Sequence, residues 1–206
     1  MGGIELKKYW LYLKYILEHK KNVFKTCWKR GLYIHAFTHD LSTFYPSEFF
    51  PYANWFNGKY GVNFKKFLCY GSNVKHNKSK QKFEEAWKKH YSRNKHHWNY
   101  WLESNSNNHI FSVISLFNVI EQGGKKEAKN MPHKYIMQMI CDWEAMSLKF
   151  GDSAQEYYLK NYDKIKLHRK TRALLEEELG LFPFLYDCPE SGCTYMTLEE
   201  LFKLNK

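Results

Sequence analysis

The sequence predicts an all-α protein folded as a single domain, and three observations carry that prediction. Apolar residues recur at three- to four-residue steps through most long segments, the repeat that places them on one helix face. Helix punctuation falls where those segments begin or stop, with Gly31 and Gly151 as terminators and Pro46 and Pro132 as openers. A chain of 206 residues, 44% hydrophobic and 18% aromatic, buries a core without disulfide or metal staples. No internal repeat or linker divides it, so residues 1–180 are expected to form one helical domain, with residues 181–206 as a tail packed on it.

The first helix is expected from about Ile4 to Arg30, with Leu6, Trp10, Leu13, Leu17 and Phe24 as its apolar stripe and Gly31 as its stop. A second runs from Leu32 through His39-Asp40, and its nearly apolar stretch Tyr33 to Phe37 marks it as buried. Pro46 opens a third, with Glu48 as a first-turn carboxylate, and Asn57-Gly58 closes it. Gly61 to about Lys80 reads as a loop. A strong helix follows from about Ser79 to Leu102, with Phe83, Trp87, His90, Asn94, His97 and Trp101 along one stripe. Glu103 to Asn108 is a polar loop, Ile110 to Ile120 is apolar with helix and strand both open, and Gly123 to Asn130 is a loop. Met131-Pro132 opens a helix through Phe150. Ala154 to Tyr162, Leu167 to Leu179 and about Leu198 to Leu204 complete the set.

Composition narrows the function classes. No stretch approaches the ~20 apolar residues of a membrane span, and the first residues lack the basic and apolar regions of a signal peptide. Leu6 stands where a myristoylation start wants Ser or Thr. Five cysteines at irregular spacing argue against a disulfide framework. Cys188 and Cys193 resemble half a zinc knuckle without its other half, and read as a turn. These features predict a cytoplasmic protein with no membrane partner. The net charge of +11 makes nucleic acid a second partner class. Of the 32 basic residues, however, 28 are Lys and four Arg, whereas base-reading surfaces favour the bidentate Arg fork. The lysines read as solvated charges that attract anions in general. Composition leaves the oligomeric state open.

The chemistry-bearing residues occur in the order His19, His39-Asp40, His96-His97, Asp142. Imidazole nitrogens and carboxylate oxygens suit divalent Zn, Mn, Fe, Co or Ni. A bundle that brings these separate helices together would gather the side chains, and Asp142 is expected to approach the doublet, because a carboxylate more than ~8 Å away would stand well outside a ligand shell of ~2 Å. His90 is a weaker candidate, placed two helical turns from His97 with Asn94 between them. His35 reads as a hydrogen-bonded core histidine, and His76, His109, His133 and His168 as solvated.

This order resembles the HD-domain superfamily of metal-dependent phosphohydrolases. The stretches His-Asp-Leu-Ser, Pro-Ser-Glu-Phe, Arg93-Asn94-Lys95-His96-His97 and Cys141-Asp142-Trp143 are similar to an uncharacterised HD-like family of bacteria and their viruses, over about His19 to Leu179. The resemblance implies an HD-like helical bundle. It also implies one metal on His19, His39, Asp40 and Asp142, and a second site on His96 and His97. The implied reaction is hydrolysis of a nucleotide or related small phosphate ester with metal-activated water as nucleophile. Asp40 would be ligand and catalytic group, Lys95 a catalytic cation, and Arg93, Asn94 and Lys95 would hold substrate. Thr43 departs from the pattern, because relatives carry Lys there. The alternative is a basic helical nucleic-acid-binding or interaction protein with a degenerate metal site.

Overall fold

The computed structural model describes residues 2–57, 78–102 and 128–181. These residues contain seven α-helices and two short 3-10 helices, with one isolated bridge between Leu102 and Ala128 as their β pairing. The fold class is all-α, as the sequence predicts. The expectations for most of the loop 61–80, for 103–108 and 110–120, for most of 123–130, for the Cys188–Cys193 turn, for the helix near 198–204 and for the tail lie outside the described residues.

Helix α1 spans Gly2–Lys29, and Gly31 beyond it takes φ +72°, the left-handed turn that glycine adopts without a Cβ clash. Its buried face differs from the expected stripe. Leu6, Trp10 and Leu17 are exposed, whereas Tyr12, Ile16, Val23, Thr26 and Cys27 are buried. The helix carries apolar residues on two faces, and the face with the more polar members turns inward because His19 and the tyrosines have partners there. α2 covers Tyr33–Thr38 and stops before the doublet. Asp40 then takes φ +48°, the sole positive φ among described non-glycine residues. Asp tolerates that region because its short polar side chain bonds locally. A 3-10 helix, Leu41–Phe44, follows, closed by the Thr43 hydroxyl donating to the Asp40 carbonyl at 2.7 Å.

Pro46 opens α3 (Pro46–Asn57). α4 runs Lys78–Arg93 and is shorter than expected. The Asn94 amide donates to the His90 carbonyl at 2.9 Å, alongside the Asn94 backbone N–H at 3.1 Å. Asn competes for backbone groups in this way and favours turns over helix interiors. His96 and His97 therefore sit in the turn before the 3-10 helix Trp98–Trp101, not on a helix. α5 spans His133–Phe150, with Pro132 as N-cap and Gly151 at φ +76° after its end. α6 (Ala154–Lys160) opens with a Ser153/Glu156 capping box. α7 is Arg169–Glu178.

Three apolar clusters make the core. Tyr12, Ile16, Trp55 and Phe83 join α1, α3 and α4. Val23, Cys27, Ala36, Cys141 and Ala145 join α1, α2 and α5. Ile136, Ile140, Trp143, Tyr158 and Leu175 join α5, α6 and α7. The first two meet along α1, and the buried Thr26 hydroxyl pins that helix to α5 by donating to the Cys141 carbonyl at 2.9 Å.

Candidate metal centre

Helix α1 supplies His19, the end of α2 supplies His39-Asp40, the turn after α4 supplies His96-His97, and α5 supplies Asp142. The fold gathers all six. His19 Nε2 lies 3.0 Å from Asp142 Oδ1 and 3.2 Å from His39 Nε2. His39 Nε2 lies 3.6 Å from the same Asp142 oxygen. Asp40 Oδ2 is 3.3 Å from His39 Nε2 and from His90 Nε2, and Asp40 Oδ1 is 3.3 Å from His96 Nε2. Donors ~2.1 Å from one ion stand roughly 3.0 Å apart at octahedral corners and roughly 3.4 Å at tetrahedral ones, so these separations match a shared ligand shell.

Three groups of side chains could hold an ion: His19, His39 and Asp142; Asp40, His96 and His97; and His35, His39 and His96. Two of the atoms concerned, Asp40 Oδ1 and His96 Nε2, are buried with no hydrogen-bond partner among the described residues. A buried acceptor left unpaired costs on the order of 1–3 kcal/mol, and a cation would satisfy both.

Electrostatics divide the histidines. Burial pushes His39 down to about 3 against the pull of Asp40 and Asp142, and burial with the neighbouring His90 takes His97 to about 4. Burial likewise holds His96 well below its usual value. These three rings stay neutral, the state that ligates metal. Burial also opposes charging His90, but Asp40 and Glu48 outweigh it and lift that ring to about 10. His19 rises because Asp142 outweighs its burial. Burial would raise Asp40, yet His39, His90 and His96 hold it well below the carboxylate range.

Glu48 supports this core. It is fully buried, unlike the surface carboxylate that a first-turn position suggests, and its Oε2 lies 3.0 Å from His90 Nδ1 and accepts from Ser42 Oγ at 2.8 Å. Its other oxygen pairs with Arg93. With Asp40 at Nε2 and Glu48 at Nδ1, the charged ring is held in a fixed orientation between two carboxylates. His90 also sits 2.8 Å from His97 by Nε2 to Nε2. The chain turns back to bring the two together, and helical spacing plays no part because α4 has already ended.

A cavity of about 530 Å³ opens onto the cluster, lined by His19, Asp40, His90, His97 and Asp142 and walled by Tyr12, Tyr52, Phe83, Trp87, Trp98, Trp143 and Tyr157. The predicted flanking groups stand elsewhere. Arg93 is engaged by Glu48, Asn94 bonds Ser42 and His90, and Lys95 is exposed with its ammonium over the Tyr100 and Tyr135 rings. None of the three lines the cavity. Lys20 does line it, and the Tyr52 hydroxyl, also on its wall, has no partner among the described residues. Sequence patterning gave Lys20 no role and read Glu48 only as a helix-opening carboxylate, although Lys20 stands beside His19 and Glu48 two residues past Pro46. His35, read as a core histidine, is half-buried with its Nε2 3.2 Å from His39 Nδ1.

Residues 8–181 match the model of a family described as a family of unknown function (DUF5662), and the chain belongs to that family. No curated protein and no solved structure matches it.

Proposed function

We propose that this member of the family binds one or two divalent transition-metal ions and hydrolyses a small phosphate ester, with a nucleotide or related organic phosphate as substrate. The observation that carries the reading is the convergence of His19, His39, His96 and His97 with Asp40 and Asp142, with Asp40 Oδ1 and His96 Nε2 buried 3.3 Å apart and without a hydrogen bond among the described residues. The order of these residues resembles the HD-domain phosphohydrolases and supports the same reaction class.

His19, His39 and Asp142 would hold one ion and Asp40, His96 and His97 another, with His90 beside the second. Such an ion supplies Lewis-acid charge and lowers the pKa of a water toward ~7. Asp40 directs one oxygen toward His39 and His90 and the other toward His96, so one rigid carboxylate fixes the spacing of both halves. Glu48 holds His90 in place through Nδ1. The aromatic wall offers flat faces for a base or other planar group.

Elemental analysis of the purified protein tests the reading, followed by assays of nucleoside monophosphates and generic phosphodiesters with Mn, Co or Ni. Stoichiometric metal with metal-dependent hydrolysis is expected, releasing inorganic phosphate from a monoester or an alcohol and a monoester from a diester. Metal-free protein that releases no phosphate but binds long RNA or DNA with a steep salt slope would replace it with a basic binding module.

A further inference from the structure

The proposed metal centre would hold cations, yet a phosphate ester also needs a protein cation for its oxygens, and the groups that sequence nominates for this are engaged elsewhere. Arg93 is paired to Glu48, and Lys95 stands outside the cavity over two tyrosine rings. Thr43 donates its hydroxyl to the Asp40 carbonyl.

We infer that Lys20 forms the oxyanion-binding position of this site and takes the phosphoryl group of the substrate from the α1 side. The inference rests on the hydrolase reading above. Lys20 follows His19 directly on α1 and lines the same cavity. Its ammonium donates to the His39 carbonyl at 2.6 Å, which anchors it beside the doublet. An ammonium has three N–H donors, and among the described residues no acceptor takes the other two. The ring of Phe44, 6.0 Å from Nζ, shields one side. The anchored ammonium therefore presents two donors and a full positive charge next to the proposed ligands, the arrangement that recognises a phosphate oxygen. The cavity wall carries one further lysine among the described residues, Lys160 of α6, and that helix packs on α5. Lys160 is not anchored to the doublet as Lys20 is.

The test is titration of inorganic phosphate by calorimetry into wild-type protein and the Lys20→Gln and Lys20→Arg variants, each with metal content measured alongside. Lys20→Gln should keep its metal and bind phosphate about ten- to hundredfold more weakly, the scale of one or two charge-assisted hydrogen bonds. Lys20→Arg should recover most of that loss. Unchanged phosphate affinity in Lys20→Gln overturns the inference. So does parallel loss of metal and phosphate, which would make the lysine a mere prop for His39. Wild-type protein that holds no metal would remove the hydrolase reading, while the phosphate titration still decides the anion site.

Discussion

Replacing Glu48 probes the support of the metal centre more sharply than replacing a ligand. Glu48→Ala removes a fully buried carboxylate that meets Ser42 at 2.8 Å, His90 at 3.0 Å and Arg93. The Arg93 side chain is 42% exposed, so water replaces that partner at little cost. His90 is buried and loses one of the two carboxylates that favour its charge. Breaking a buried charged pair from one side costs about 3–5 kcal/mol, and for a domain of this size that lowers Tm by roughly 6–20 °C. Glu48→Gln keeps the shape and the Ser42 contact and should lose less. In metal-loaded protein either change should weaken metal affinity by about ten- to hundredfold, the usual effect of removing an outer carboxylate that orients a metal site. Thermal melts of metal-free protein read the first effect, and chelator competition reads the second. A melt of Glu48→Ala within ~2 °C of wild type would refute the assignment of Glu48 as a buried counter-charge.

His39→Ala and Asp40→Asn should each abolish stoichiometric metal while leaving the helical circular dichroism intact, since Asn tolerates the left-handed backbone of residue 40; full occupancy in both would sink the site. Gly151→Ala should cost about 1–2 kcal/mol in urea unfolding, entirely from its φ of +76°, because an added Cβ meets nothing within 4 Å. Glu176 supplies a pH dependence. Burial raises its pKa above 4.5 despite the Tyr158 hydroxyl and Arg172, so the folded protein binds the extra proton between the unfolded value and the raised one. Its share of stability is full below about 4.5 and is lost as pH rises through the folded value. Glu176→Gln should flatten that slope, and an unchanged difference in urea midpoint between pH 5 and pH 7.5 would contradict it.

Sequence made much of this arrangement legible. The glycines at 31 and 151 and Pro46 mark helix ends because each acts through its own backbone, without help from distant contacts. The proximity of Asp142 to the doublet was legible through the resemblance of the residue order to the HD-domain superfamily, which implies one metal shared by both. The inward face of α1 was harder to read, since its leucines and tryptophan argue for one side while tertiary partners choose the other. The break at Asn94 is a contest between a side-chain amide and the backbone ladder, which hydrophobic periodicity does not sense. Lys20 and Glu48 look like ordinary surface charges until distant segments close around them.

His39 faces two ways, and this limits what the centre can count. Its Nε2 addresses His19 and Asp142, while its Nδ1 lies 3.2 Å from His35 Nε2. A neutral imidazole has one lone pair, and the other nitrogen keeps its proton. An ion on the His19 side therefore fixes Nδ1 as a donor, and His35 becomes the acceptor that locks the tautomer. The group of His35, His39 and His96 shares a member with each of the other two, so it competes with them and cannot add a third ion. Titrating the protein with metal should accordingly saturate at no more than two equivalents, and His35→Ala should weaken the ion on the His19 side without lowering the number bound.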